Sequence, residues 1–326
     1  MQISSISANN IYSVICNKNQ RNTVVNKQPF LDCFVKSNNI SFSAISPKDE
    51  RRQKVDAFMN DMYRKVVSPT FNFEDVRNLV QKHSKGVISV KPMSDAPSES
   101  LFSKSLQGLF CAELDFDERT NRIFYPKKGR TFYVNSDSFK NSSLKGDIYA
   151  NAVHEYTHAL QTDDAQANPD KIFTRYIEQH KGNVDAAIEQ VQMAIGTINQ
   201  IEENIARPYI NTLLNKEDDA YSYMFTGKTD ILSWLEKQHK TDDFSSFVRK
   251  KVSNVIEKAE QENGLSIDRT LVYDTTINHF EREIEAYINE SNAQRKMIGV
   301  GNVRALTRVQ IYQKAIGVLK EMKKEI

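Results

Sequence analysis

The feature that most constrains this chain is a short stretch, residues 147–162, in which two histidines stand four positions apart and a glutamate directly follows the first. On an α-helix of about 3.6 residues per turn, positions four apart lie one above the other. His154 and His158 would therefore present both imidazoles to one point, and neutral imidazole is a good ligand for Zn²⁺. Glu155 would lie beside that point, where its carboxylate can accept a proton from water. The pattern, an HExxH motif, predicts a metal-binding helix.

The residues around these histidines are typical of a helix that is buried on one side. Apolar residues recur at spacings of three and four, and neither proline nor glycine occurs within residues 147–162. Gly146 and Asp147 are expected to provide the helix start and its N-cap. From residue 151 to residue 161 the only charged side chain is Glu155, whereas a solvated helix face usually carries Lys or Arg. A metal site is therefore favoured over two histidines on a solvated surface.

The length and the charge of the chain narrow the classes of function. With 326 residues, the chain can form one large domain or two lobes around a substantial core. Its 44 basic residues are balanced by 42 acidic ones, which gives a formal net charge of +2. A nucleic-acid partner is not expected, because proteins that bind nucleic acids concentrate positive charge to contact phosphates.

Cysteine usage and hydropathy bear on the environment of the protein. Cys16, Cys33 and Cys111 are too few and too scattered for a disulfide framework or a cysteine-rich zinc site. The first residues contain neither the basic region nor the long apolar region of a Sec signal peptide, and no apolar run approaches the length of a membrane span. We therefore expect no membrane span, and a location in the cytoplasm or export by a non-Sec route.

The N-terminal part of the chain divides into a polar segment and a helical region. Residues 1–47 are rich in Ser and Asn and have no sustained hydrophobic period, so they are predicted to form a flexible tail. Residues 48–110 are predicted to form an N-terminal helical region. Its expected elements are helices at residues 48–66 and 73–84, a short strand at residues 87–90 and a helix at residues 97–110.

From residue 111 the hydrophobic period changes to two, which is typical of strands. Three alternating segments separated by polar turns predict a three-stranded antiparallel meander that leads into the metal-binding helix. Residues 111–165 are thus interpreted as the sheet and the HExxH helix of a catalytic domain. The predicted strands are residues 112–116, 122–125 and 131–134.

Residues 166–326 are predicted to form a mostly α-helical subdomain, which makes the expected fold class α+β. Polar joints, among them residues 215–219 and 299–301, separate the helices. The predicted helices span residues 169–181, 184–214, 229–239, 243–262, 268–295 and 302–325.

Two histidines do not complete a catalytic zinc site, which normally takes three protein ligands and leaves one position for water. Residues 279–290 are the most suggestive source of a third ligand. On their predicted helix Glu283 lies beside the apolar stripe, and the small residue Ala286 would let another helix approach closely. Glu285 would serve instead if the helix were rotated.

Residues 154–158 (His-Glu-Tyr-Thr-His), followed far downstream by residues 283–286 (Glu-Ile-Glu-Ala), resemble the zincin metallopeptidases of the gluzincin type. In that family the third zinc ligand is a glutamate on a later helix, often in an ExxA setting. A twisted sheet precedes the HExxH helix, a helical subdomain follows it, and the cleft runs between them. The resemblance implies a zincin-like fold and one Zn²⁺ per chain, held by His154, His158 and Glu283.

The resemblance covers two short motifs and the order of the elements, and the chain departs from the family pattern in two places. The separation between His158 and Glu283 is 283 − 158 = 125 residues, longer than in many relatives, so helices are inserted between the motifs. Where the family often has an Asp that supports a ligand histidine, this chain has Tyr287. A further alternative ligand is Asp164, six residues after His158, where metzincin-like zincins place theirs, although those enzymes need a glycine turn at the position of Gln161.

The resemblance implies a zinc metallopeptidase that acts on a protein or peptide substrate. A water activated by zinc attacks the scissile carbonyl, with Glu155 as the general base and later as the proton donor to the leaving amine. Tyr287 and His279, each one helical turn from Glu283, are candidates for stabilising the transition state. The strand before the HExxH helix is implied to bind an extended substrate as an added strand. That strand comprises Phe132, Tyr133, Val134 and Asn135.

Two alternative interpretations stay open. The first is a catalytically idle zincin fold used for binding; such a protein would be expected to lose Glu155 first, and this chain retains it together with both histidines. The second is an exported effector or toxin protease with the same chemistry, in which residues 1–47 carry the export signal. The complete motif favours an enzyme over the idle fold.

Overall fold

The computed structural model describes residues 6–7, 50–96, 108–117, 119–120, 122–141, 144–163, 170–226, 230–239 and 243–326. Three predictions fall largely or wholly outside these residues: the tail at residues 1–47, most of the helix at residues 97–110, and Asp164 as a ligand. The described part is mostly helical and carries a few short strands, so the fold class is α+β.

The first two helices agree with the sequence prediction to within two residues. They are α1 (Glu50–Val66) and α2 (Phe73–His83). A capping box begins α2, because the Asn72 side chain accepts from the Asp75 backbone N–H and the Asp75 carboxylate accepts from the Asn72 backbone N–H.

Within the described residues, six short strands form two three-stranded sheets. One sheet has the order β1-β4-β5 and is antiparallel. The other has the order β2-β6-β3, in which β2 runs parallel to β6 and β3 runs antiparallel to it. The strands are β1 (Ile6–Ser7), β2 (Ser89–Pro92), β3 (Gly108–Cys111), β4 (Glu113–Asp117), β5 (Arg122–Phe124) and β6 (Thr131–Val134).

The antiparallel meander predicted for residues 112–134 is wrong in its last strand. β4 and β5 do pair, with Phe116 opposite Ile123, but β6 lies in the other sheet between β2 and β3. All four residues of β6 are buried, which suits the middle of a sheet covered on both faces better than an edge. The helix predicted to end at residue 110 is also wrong at its end, since residues 108–111 form β3. A short apolar run does not distinguish strand from helix by its period.

The stretch that carries the two histidines forms the helix α3 (Lys145–Gln161). The helix starts earlier than expected, and its N-cap position is Leu144. This residue makes no side-chain capping hydrogen bond. Asp147 therefore lies in the first turn and is not the N-cap, although a negative charge there still interacts favourably with the helix dipole.

Seven helices follow in the residues that the structure describes. One of them, at residues 217–225, replaces the polar joint expected near residues 215–219. Three consecutive acidic residues occupy its first turn, where the helix dipole stabilises negative charge, and their polarity is also typical of a loop. The seven are α4 (Asp170–Gln179), α5 (Val184–Asn215), α6 (Glu217–Phe225), α7 (Ile231–His239), α8 (Phe244–Asn263), α9 (Arg269–Ile298) and α10 (Val303–Lys324).

The helix α3 lies at the centre of the packing. It contacts α1, β3 and α9, and α9 in turn packs against α5 and α10. Most side chains of α3 are buried, and they include the polar side chains of His154, Glu155, Thr157, His158 and Gln161. Since β3 pairs with β6, the domain boundary predicted at residue 111 passes through a sheet. None of the helices in the described ranges combines the length and apolarity needed to cross a lipid bilayer.

Candidate metal centre

Three potential metal ligands, which we call the metal group, meet between α3 and α9. His154 and His158 lie on successive turns of α3, and Glu283 reaches them from α9. Their ligand atoms all lie within 4.8 Å of one another, and all three residues are buried. The two histidine Nε2 atoms are 3.0 Å apart. Glu283 places Oε1 3.2 Å from the Nε2 of His158 and Oε2 3.6 Å from the Nε2 of His154, so the group could hold a metal ion.

Small and polar residues of α9 fit it closely against its neighbours. Ala286, one turn after Glu283, has no exposed surface, as expected for a small residue in close helix packing. The side chain of Asn289 donates a hydrogen bond to the Thr157 hydroxyl of α3 at 3.2 Å. This packing brings the Glu283 carboxylate to the two imidazoles.

The donor atoms fit a divalent cation. Glu283 Oε1 is buried and makes no hydrogen bond of good geometry within the described residues, although it lies 3.2 Å from His158 Nε2. Two imidazole nitrogens and one carboxylate oxygen are ligand types that Zn²⁺ takes, and three protein ligands leave a fourth position open. A cation would therefore satisfy a buried oxygen that the described chain leaves unsatisfied.

Glu290 supports His154 from behind. Its Oε2 lies 3.0 Å from His154 Nδ1, although this contact, like that of Glu283 Oε1, lacks the geometry of a good hydrogen bond. Its Oε1 accepts a hydrogen bond from Asn302 Nδ2 at 3.1 Å. A carboxylate in this place favours a proton on Nδ1 and directs Nε2 toward a metal. Glu290, about one turn after Tyr287, thus supplies a carboxylate to this histidine. The sequence contains a signal for it, because Glu290 is about two helical turns after Glu283 and so shares its face.

Glu285, the alternative ligand, does not join the metal group. Its carboxylate is bound by the guanidinium of Arg51 in α1, with Nε–Oε1 at 2.8 Å and Nη2–Oε2 at 2.9 Å. Glu285 also accepts a hydrogen bond from the side-chain amide of Gln161, whose Oε1 lies 2.9 Å from His158 Nδ1. Glu285 therefore lies behind His158 and outside the metal group, and nothing in its sequence context links it to Arg51.

Glu155 lies next to the metal group and contacts the sheet. Its Oε2 accepts a hydrogen bond from the backbone N–H of Phe110 in β3 at 2.9 Å, and the residue is buried. Burial raises the pKa of Glu155 to about 7; the charge of His154 and the Phe110 N–H oppose this rise, whereas Glu283 and Glu290 add to it. A carboxyl group that titrates near neutral pH suits a general acid and base.

The two histidines differ in their affinity for a proton. Burial by itself lowers the pKa of each, because a buried imidazolium loses hydration. For His154, contact with Glu290 and the charges of the neighbouring carboxylates outweigh burial and raise the pKa to about 9. For His158, burial and the charge of His154 outweigh the attraction of Glu283, so its pKa is lowered. Burial raises the pKa of Glu283, but His158 and, to a smaller extent, His279 and His154 outweigh this effect and lower it.

Tyr287 lies at the metal group. Its ring packs edge-on against the His154 imidazole, with centroids 4.5 Å apart, and its hydroxyl accepts a hydrogen bond from Arg308 Nη1 at 3.0 Å. Burial raises the pKa of Tyr287 well above its ordinary value, so the phenol stays neutral and retains its proton as a donor. Arg308 belongs to α10 and carries no motif by which the sequence could identify it.

His279, the other candidate stabiliser, contacts different helices. Its Nε2 lies 2.8 Å from Glu202 Oε2 in α5, and Glu202 Oε1 accepts a hydrogen bond from the Tyr312 hydroxyl of α10. We call these three buried residues the Glu202 cluster. The Nε2 atom of His279 is therefore engaged with Glu202 and not with the metal group.

The strand expected to bind substrate, at residues 132–135, is not available for pairing. β6 is the middle strand of its sheet, and its residues pair with β2 on one side and β3 on the other. An added strand needs an edge with unpaired N–H and C=O groups, so this prediction is wrong. Among the described strands, β3 forms the edge that contacts α3, and the N–H of its Phe110 is bound to Glu155.

Comparisons with protein-family models, with curated proteins and with solved structures find no match to this chain. The chemistry of the site therefore follows from its own groups. These are two imidazole nitrogens and a carboxylate that converge on one point, with Glu155 next to them.

Proposed function

We propose that this protein is a zinc-dependent metallopeptidase of the gluzincin type. The observation that carries the proposal is the convergence of buried His154, His158 and Glu283 within 4.8 Å, with Glu155 directly after the first ligand. Two histidines and a glutamate form a ligand set of catalytic zinc sites, in which one position stays open. The substrate class is a peptide or protein.

The residues of the chain divide the chemistry among them. His154, His158 and Glu283 would hold the ion, which when bound polarises a scissile carbonyl and increases the acidity of water. Glu155, with a pKa of about 7, accepts the proton of the attacking water and passes it to the leaving amine. Oε2 accepts the hydrogen bond of the Phe110 N–H, so Oε1, the other carboxylate oxygen, is the expected proton acceptor.

Tyr287 is the group best placed to stabilise a developing negative charge. Its hydroxyl is fixed by Arg308 and remains protonated, so it can donate a hydrogen bond to an oxyanion near His154. A Tyr287→Phe variant should retain zinc and lose catalytic rate, because it keeps the ring and removes the donor.

The test combines metal content and peptidase activity in purified full-length protein. Wild type and Glu155→Gln should each contain about one zinc per chain, and His158→Ala should lose it. Glu155→Gln should hydrolyse a peptide library about 10²–10⁴-fold more slowly than wild type, since it removes the general base and keeps the ligands. Wild type that binds no divalent metal would exclude the proposal.

A catalytically idle zincin fold is the second candidate, and one observation favours it. Each residue of the metal group, and Glu155 with it, exposes at most 5% of its surface, so a substrate has little access in this arrangement. The two candidates differ in the outcome of the Glu155→Gln comparison. An idle protein would bind zinc in both forms and hydrolyse no peptide in either.

A further inference from the structure

Gln161, at the end of α3, uses its whole side-chain amide. Its Oε1 lies 2.9 Å from His158 Nδ1 and accepts a second hydrogen bond from Arg282 Nε at 3.3 Å. Its Nε2 donates to the Arg282 carbonyl at 3.1 Å and to Glu285 Oε2 at 2.9 Å. Since Gln161 has no exposed surface, these protein groups fix the orientation of the amide.

The partners of Gln161 permit one orientation. The Glu285 carboxylate and the Arg282 carbonyl only accept hydrogen bonds, so both require the NH₂ group of the amide. A reversed amide would turn its NH₂ toward the Arg282 guanidinium, which only donates, and its oxygen toward two acceptors. With Oε1 toward His158, a neutral ring must carry its proton on Nδ1. The lone pair then lies on Nε2, the atom that faces Glu283.

Arg51 binds Glu285, the residue of this series of contacts that lies farthest from His158. The Glu285 side chain is 26% exposed, so without a partner its carboxylate could rotate toward solvent. The guanidinium of Arg51 binds both carboxylate oxygens, and the Arg51 side chain is only 9% exposed. A two-point contact with a planar guanidinium fixes the plane of a carboxylate as well as its position. Oε2 of Glu285 is thereby held where Gln161 donates.

We infer that Arg51 is a positioning residue of the metal centre, which acts through Glu285 and Gln161 to keep the lone pair of His158 on its metal-facing nitrogen. This inference rests on the proposed zinc function and adds to it a residue of α1, 234 positions before Glu285. The helix α1 is then part of the metal centre as well as a support for the fold.

The direct test is the dissociation constant for Zn²⁺, measured on the full chain by competition with a chromophoric chelator. Gln161→Met should weaken zinc binding by about 10–100-fold, the range for partners that lie behind a metal ligand. Arg51→Met should weaken it on the order of tenfold, because it loosens that partner without removing it. Arg52→Met, which changes the exposed neighbour on the same helix, is the matched control and should leave the constant unchanged.

A charge exchange separates positioning from simple ion pairing. The double variant Arg51→Glu with Glu285→Arg restores an ion pair between α1 and α9, but it presents a donor to the NH₂ group of Gln161. Its urea unfolding midpoint should recover relative to the single Glu285→Arg variant, while zinc affinity should stay low. Recovery of both quantities would make the pair merely structural and would overturn the inference.

A second readout does not require the ion. Nitrogen-15 NMR of the imidazole rings in protein stripped of metal should place the His158 proton on Nδ1 in wild type and show a mixture of tautomers in Arg51→Met. If Arg51→Met does not fold, Arg51→Lys keeps the charge but loses the two-point contact, and it should show the same change to a smaller extent.

The outcomes distinguish the inference from the function on which it rests. An Arg51 variant with the zinc affinity and the tautomer of wild type would overturn the inference and leave the zinc function intact. Wild-type protein that binds no Zn²⁺ would instead overturn the function, and the inference with it.

Discussion

Two buried groups of histidine and glutamate lie along α9, and they are built in opposite ways. The metal group brings two imidazoles together with Glu283, whose Oε1 has no hydrogen bond of good geometry among the described residues. In the Glu202 cluster each oxygen of Glu202 has a partner, either His279 Nε2 at 2.8 Å or the Tyr312 hydroxyl. The same residue types form a potential ion site in one place and a hydrogen-bonded network in the other.

The difference lies in the balance of donors and acceptors. The Glu202 carboxylate meets one imidazole and one hydroxyl, so two donors can serve two oxygens. In the metal group two imidazole nitrogens and a carboxylate face one another, and a single proton cannot satisfy all of them. A cation is the group that such a set of acceptors lacks. Counting donors therefore separates the two groups better than residue type does.

The largest expected effect comes from removing the carboxylate of one group and then of the other. Glu283→Ala should lose its zinc, because only two protein ligands remain. Its affinity for zinc should fall by more than the 10–100-fold expected when a partner of a ligand is removed. Glu202→Ala should retain about one zinc per chain. Metal analysis by mass spectrometry after dialysis measures both. Zinc retained by Glu283→Ala would remove the distinction between the groups.

A smaller effect on zinc affinity is expected when a carboxylate that contacts a histidine of the metal group is removed. Glu290→Ala should weaken zinc binding by about 10–100-fold, since His154 loses the carboxylate 3.0 Å from its Nδ1. The matched control is Glu281→Ala on the same helix. Glu281 is half-buried and lies 3.9 Å from Lys320, so its removal should leave zinc affinity unchanged. The dissociation constant for Zn²⁺ reports the difference. Equal constants for the two variants would mean that Glu290 does not support a ligand.

The pH dependence of zinc binding should show whether His154 of the metal group carries a proton before the metal binds. The pKa of His154 is raised to about 9, so in protein stripped of metal it carries a proton at pH 7, and a metal must displace that proton. Zinc affinity should rise by up to about tenfold per pH unit between pH 7 and pH 9, the slope for one released proton. Calorimetry in two buffers of different ionisation enthalpy measures the release. A flat profile would contradict a charged His154.

The same shift sets the stability of the metal-stripped chain. A raised pKa means that the folded state holds the proton more tightly than the unfolded state does. The contribution of His154 is therefore fully present below pH 6.5 and is lost as the pH rises through about 9. Urea unfolding midpoints of the stripped chain should fall over this range, and Glu290→Ala should flatten the decline.

The smallest expected effect on metal binding belongs to the Glu202 cluster. Glu202→Gln keeps one acceptor oxygen for two donors, so the free energy of unfolding should fall by about 1–3 kcal/mol. Tyr312→Phe, which removes only a donor, should cost about 0.5–1.5 kcal/mol. Both variants should bind zinc as wild type does. Urea denaturation followed by circular dichroism measures the loss, and weaker zinc binding in either variant would couple the two groups.

Local patterns in the sequence predicted the two helices that meet at the metal group. The stretch at residues 147–162 matches α3, and the segment expected at residues 268–295 agrees with α9 apart from its first residue, which is the N-cap, and the last three residues of the helix. Both carry a long hydrophobic period, which is the most dependable signal of a helix. The placement of Glu283 beside the apolar stripe of its helix agrees with its position next to the histidines.

The sequence did not predict contacts between residues that are far apart along the chain. The neighbours of β6 depend on which strands it meets in the fold, and its β-branched and aromatic residues fit a central strand as well as a meander. The link from Arg51 to Glu285 spans 234 positions and leaves no periodic trace. Glu290 is a partial exception. Its spacing from Glu283 is visible in the sequence, but its contact with His154 is not.

The distance along the chain between the two halves of the metal group has a consequence for biosynthesis. His158 precedes Glu283 by 283 − 158 = 125 residues. At a translation rate of roughly 5–20 residues per second, the histidines leave the ribosome roughly 6–25 seconds before the carboxylate that completes the group. A nascent chain that meets zinc in this interval offers two ligands on a single helix. The proposed ion would therefore be captured firmly only after α9 has been translated and has docked, which would make metal loading a late step in maturation.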